Sequence, residues 1–125
     1  MTTYVLDTHA LIWWLAGEPL STDATAAIID PGNEVLVSVV SGWEIAIKSS
    51  QGKLTIDGDL TDDIFTNGFD ILPIRWSHAS HVAALPDHHR DPFDRMLIAQ
   101  CQSEGFTLIS RDSTMSAYDL DLLLA

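Results

Sequence analysis

The chain has 125 residues, of which 46% are hydrophobic and 19% charged, which excludes a disordered or fibrous class and fits one domain of ordinary size. Six Lys and Arg stand against 18 Asp and Glu, a net charge of −12, so a simple basic coat for nucleic acid is excluded. A single cysteine, Cys101, forbids an internal disulfide and a cysteine-built zinc site, and fits a reducing compartment.

In chain order, residues 3–6 (TYVL) form a short apolar run of strand formers that ends at Asp7. The wider apolar stretch 4–15 is broken by Asp7 and His9 and has no basic flank. Neither a signal peptide nor a membrane span is expected, and the expected location is the cytoplasm. Residues 10–16 read as a helix stopped by Gly17 and Pro19. Ser21 or Thr22 can cap a second helix to Ile29, ended by Pro31 and Gly32. Residues 34–40 (EVLVSVV) predict a buried strand, and Ser41 opens a helix to about Ser50. A short helix is predicted over 60–66. Residues 70–74 (DILPI) read as a strand whose Pro73 marks an edge or an end. Helices are predicted over 77–85 and from Pro92 to about Ser103, closed by Gly105. Residues 106–110 (FTLIS) give another buried strand, and 120–124 a last one. Strands alternate with helices, which predicts an α/β sandwich with a mostly parallel sheet and helices on both faces. In such sheets the ligand site lies beyond the carboxyl ends of the strands.

Four acids fall at those ends. Asp7 comes directly after the first strand, and Glu44 falls in the first turn of the helix that Ser41 opens. Asp94 is in the first turn of the long helix, and Asp112 lies just beyond the strand ending at Ser110. Two unit charges about 5 Å apart at an effective dielectric near 20 repel by about 3 kcal/mol. Four carboxylates at one edge therefore call for cations or protons, and Mg²⁺ or Mn²⁺ suits such hard oxygen ligands. A plainer reading exists for each acid alone. Ser41 to Glu44 matches a capping box, Asp91 with Pro92 reads as a helix start, and Asp7 and Asp112 can each cap the helix or turn next in the chain.

The segments around these acids are specific. Residues 5–13 (VLDTHALIW) resemble the opening of PIN-domain ribonucleases of the VapC toxin type. Residues 41–48 (SGWEIAIK), 88–100 (HHRDPFDRMLIAQ) and 108–112 (LISRD) resemble the second, third and fourth motifs of that family. The resemblance runs from Val5 to about Leu122. It implies a single PIN-like domain over 1–125 and a metal-dependent endoribonuclease with Asp7, Glu44, Asp94 and Asp112 as its catalytic, metal-holding acids. It further implies Mg²⁺, with Mn²⁺ able to substitute, an RNA substrate, a cognate antitoxin and a homodimer. Glu44 is expected to ligate directly or through water. Thr8 is expected to orient a ligand or water, with Asp91 and Arg111 at the rim of the site.

Among the remaining residues, Asp91 with Arg95 and Glu44 with Lys48 are spaced as i, i+4 ion pairs. Arg111 is open between pairing and phosphate contact. His88 and His89 are expected in a loop, without zinc, with at most a minor part at the rim. Of Trp13 and Trp14, one is expected in the core and the other exposed at an interface. Two rival readings remain: a receiver-like signalling domain, and a PIN-like binding module that does not cut RNA.

Overall fold

The computed structural model describes residues 1–125. Strand β1 (Thr3–Leu6) is followed by helices α1 (Thr8–Leu15) and α2 (Thr22–Ile29), then by strand β2 (Glu34–Ser38) and helices α3 (Val39–Ser50) and α4 (Leu60–Thr66). Strand β3 (Asp70–Leu72), helices α5 (Trp76–Val82) and α6 (Pro92–Glu104), strand β4 (Thr107–Ser110), a 3-10 turn (Ser113–Ala117) and strand β5 (Asp121–Leu124) complete the chain.

The five strands form one sheet in the order β3-β2-β1-β4-β5, and every pair is parallel. The receiver-like alternative requires the order 2-1-3-4-5, so the topology sets it aside. Neighbouring strand residues point to opposite faces and load two cores. Val5, Leu36 and Leu108 face α6, meeting Leu97, Ile98 and Cys101. Leu6, Val35, Val37 and Ile109 face the other way, onto Ala10 and Leu11 of α1, Ile28 of α2 and Ile45 of α3. Burial on both faces is why these strands read as continuous apolar runs.

The order reverses direction between β1 and β4, and a crevice opens beyond the carboxyl ends of strands at such a reversal. Helix α3 comes directly after β2, so its N-terminus lies at that edge. Helix α6 leads into β4 and runs antiparallel to it, which returns its N-terminus to the same edge.

Several boundaries differ from the sequence expectation. The strand expected over 34–40 stops at Ser38, and α3 begins at Val39. Ser38, not Ser41, is the N-cap: its Oγ accepts the Val40 N–H at 3.0 Å and donates to Gln100 Oε1 of α6 at 2.6 Å. The Ser41 capping box does not form, and Glu44 lies in the second turn of α3. Strand β3 is an edge strand, as Pro73 suggested, and ends at Leu72. Helix α5 starts one residue early because His78 Nδ1 accepts the Arg75 N–H, and it ends at Val82, where Arg95 captures carbonyls. Strand β4 starts at Thr107, since Phe106 N–H turns back to Cys101 O at the Gly105 helix end. Gly105 has φ +74°, a conformation glycine adopts without strain.

Candidate metal centre

Asp7 is buried at the N-cap of α1. Its Oδ1 accepts the Ala10 N–H at 2.8 Å, and its own N–H donates to Ile109 O of β4. The carboxylate is thus a cap, and it is also seated between β1 and β4. Burial pushes its pKa up, against the lowering effects of the Ser110 hydroxyl and the Ala10 N–H. Next to it, Thr8 Oγ1 donates to Ser41 Oγ at 3.0 Å, which ties the starts of α1 and α3 together.

Glu44 is 3% exposed. Its Oε2 takes Lys48 Nζ at 2.6 Å, the i, i+4 pair the spacing predicted, and Lys48 is held above its ordinary pKa chiefly by that bond. Its Oε1 is buried with no hydrogen-bond partner. Leaving a buried polar oxygen unmatched costs about 1–3 kcal/mol, more for a charged group. The charge of Glu44 acts on both Asp7 and Asp94.

Asp94 is the third residue of α6. Asp91 is the N-cap, with Oδ1 accepting from Phe93 and Asp94 N–H, and Pro92 fills the first helical position. Desolvation, followed by the charges of Asp91, Asp7 and Glu44, pushes the Asp94 carboxyl up to about 7. Asp91 therefore joins the site electrostatically while its oxygen serves the helix. Asp112 behaves oppositely. It is exposed, caps the 3-10 turn through Thr114 N–H at 3.0 Å, and takes the Thr114 hydroxyl at 2.6 Å. The Thr114 hydroxyl bond, aided by His89, holds its pKa below the usual carboxylate range.

One residue expected in a loop, with at most a minor part at the rim, lies beside these acids. His89 Nε2 is 3.3 Å from Asp112 Oδ2 and 3.2 Å from Thr114 Oγ1. Ligand atoms of His89, Asp94 and Asp112 all fall within 4.8 Å of one another. Its signal in the sequence was its place two residues ahead of the α6 cap. Arg95 places this loop. Its guanidinium does not reach Asp91, the partner the spacing suggested. It donates instead to the carbonyls of Val82, Leu85, Pro86 and His89. A planar fork can gather several carbonyls where an ammonium cannot.

Arg111, expected at the rim, packs on a tryptophan. Its guanidinium lies 3.9 Å from the Trp13 ring centroid and donates to Pro19 O and Ala125 O. The tryptophan expectation is also corrected. Trp13 is half-buried under Arg111, and Trp14 is half-buried against Phe69 with Nε1 bonded to Asn67. Trp43 and Trp76 are the exposed pair, at 57% and 87%. Cys101 is buried, as expected of a helix residue without redox work, and burial pushes its thiol up to about 12.

The profile of the PIN domain family matches residues 4–120. The chain belongs to this family. One relative is Ribonuclease VapC22 of Mycobacterium tuberculosis, 28% identical, with 94% of this chain and 93% of that protein covered. Among solved structures, VapBC2 from Rickettsia felis, bound to a DNA fragment from its promoter, superimposes with a TM-score of 0.79 at 16% identity, covering 99% of each chain. DNA-bound VapBC from Salmonella typhimurium gives 0.70 at 12% identity, covering 99% of this chain and 98% of that one. These likenesses at low identity carry the PIN fold, with its parallel sheet and flanking helices.

The donor chemistry fits a divalent cation. Four carboxyls, one with an unmatched buried oxygen, gather at the carboxyl edge of a parallel sheet, and Lys48 pairs with only one of them.

Proposed function

We propose that this chain is a divalent-cation-dependent endoribonuclease and the toxin of a toxin–antitoxin pair. The observation that carries the reading is Asp94. It is a carboxyl pressed by Asp7, Glu44 and Asp91, in a site where Glu44 Oε1 has no partner. A cation at this edge relieves both penalties, which gives the strain a purpose. Asp7, Asp94 and Asp112 hold the ion, with Glu44 Oε1 directly or through water. The expected ion is Mg²⁺, with Mn²⁺ able to substitute. When bound, it supplies Lewis-acid activation of water and neutralises charge building on the phosphodiester.

The protein's own groups do the rest. Asp7 is fixed by its bond to the α1 N-terminus and needs no reorganisation at the site, while Asp94 is carried into it by the first turn of α6. Thr8 keeps α1 and α3 in register through Ser41. Arg90, exposed on the loop between His89 and Asp91, is the cation offered to an RNA phosphate, and Arg111 is a packing residue. The names of the relatives, a ribonuclease and VapBC assemblies, support the same reading. The apolar groove between α3 and α4, about 310 Å³ and lined by Trp43, Leu60, Ile64 and Ile71, offers a protein partner an anchoring surface. A homodimer remains part of the proposal.

Induced expression in a bacterial host tests it. The wild-type chain arrests growth with fragmentation of cellular RNA, and Asp94→Asn at equal abundance does not. Equal arrest by both refutes the assignment.

A further inference from the structure

The position of His89 carries more than a loop contact. Its N–H donates to Tyr118 Oη at 2.8 Å, its ring meets the Tyr118 ring edge-on at 5.5 Å, and its carbonyl takes Arg95. Two backbone anchors and one ring contact thus hold His89 against the acids. Its contact with Asp112, at 3.3 Å, is long for a charge-assisted hydrogen bond, which prefers about 2.7–2.9 Å. It matches another spacing. Two adjacent ligands on one ion, each about 2.1 Å from it, stand about 3.0 Å apart at octahedral angles and about 3.4 Å apart at tetrahedral ones. The Asp94 oxygen completes the group within 4.8 Å, close to the about 4.2 Å that two ligands on opposite sides of one ion span. Independently, the buried and unpartnered Glu44 Oε1 calls for a ligand at the same acids.

We propose that His89 ligates the ion through Nε2, together with Asp94 and Asp112. This nitrogen donor strengthens the binding of a first-row transition-metal ion more than that of Mg²⁺, which is what lets Mn²⁺ substitute at the site. The inference rests on the divalent-cation reading above and adds the donor that selects the ion. Imidazole nitrogen is a poor match for Mg²⁺, which favours oxygen, and a good one for transition ions.

The probe is Mn²⁺ alone, at one equivalent, read by electron spin echo modulation. The wild-type protein is expected to show modulation from a directly bound ¹⁴N, and His89→Ala and His89→Gln to lose it. Mn²⁺ affinity should fall about tenfold or more in both variants, while Mg²⁺ affinity, measured by competition, changes less. Bound Mn²⁺ without ¹⁴N modulation in the wild-type protein overturns the inference and leaves an all-oxygen site standing. Modulation that persists in the variants overturns it as well. Absence of Mn²⁺ binding refutes both the inference and the reading beneath it. The wild-type spectrum decides even if a variant fails to fold.

Discussion

Asp94→Asn should stabilise the metal-free protein. No hydrogen bond holds the Asp94 side chain, so the exchange removes a charge and little else. A carboxyl raised from 3.8 to about 7 binds a proton in the folded state that the unfolded chain releases. The charge therefore destabilises the fold most above pH 7, and the penalty fades as pH falls toward 4. Three units at about 1.36 kcal/mol each give a ceiling of about 4 kcal/mol. Partial exposure screens this, and the helix N-terminus favours the charge, leaving about 1–2 kcal/mol. For a domain of this size that is a rise in Tm of roughly 3–8 °C. Thermal unfolding in EDTA at pH 8 and pH 4.5 measures it, with the gain present at pH 8 and largely gone at pH 4.5. Saturating Mn²⁺ should reverse the order, since an ion at 100 times its Kd adds about 2.7 kcal/mol to the protein that binds it. A variant no more stable than wild type at pH 8 would refute the electrostatic argument.

Asp7→Asn should keep the α1 cap and the wild-type Tm within a few degrees while losing divalent-ion binding. Asp7→Ala should lose about 1 kcal/mol or more, because Ala10 N–H is then unmatched; circular dichroism melts and Mn²⁺ titration separate the two. Arg95→Lys should cost about 2 kcal/mol and make the 82–89 loop a preferred site of limited proteolysis, since an ammonium cannot gather the Val82, Leu85, Pro86 and His89 carbonyls; unchanged protease resistance counts against the staple. Gln100→Leu should destabilise by about 1–3 kcal/mol in urea unfolding, because it leaves the buried Ser38 hydroxyl without its acceptor.

The legible part of this molecule was local. Apolar runs such as EVLVSVV and FTLIS announced buried strands, each longer than the strand that forms, and Asp91 with Pro92 announced the start of α6. Asp7, Asp94 and Asp112 were conspicuous because each stands at the start or end of an element, and Glu44 because it follows a strand by one helical turn more than expected; the alternation of strands and helices places such positions at one edge. What escaped was settled by distant partners. Ser38 displaced Ser41 as the cap of α3 because Gln100, 62 residues away, accepts its hydroxyl. No i, i+4 rule could show that Arg95 would turn to four loop carbonyls, or that Trp13 would occupy Arg111. His89 was hidden for the same reason: Asp112 and Tyr118 lie 23 and 29 residues downstream. Short-range pattern located the carboxylates, and long-range contacts decided what surrounds them.

The central claim is that the four acids hold an ion that cuts RNA. Its most direct test is cleavage of a mixed pool of structured and single-stranded RNA by identically purified wild type and Asp94→Asn, in Mn²⁺, in Mg²⁺ and in EDTA. Cutting at defined internal positions that requires the ion and is lost in Asp94→Asn is the predicted result. Cutting that survives in EDTA, or that the two proteins share, contradicts it.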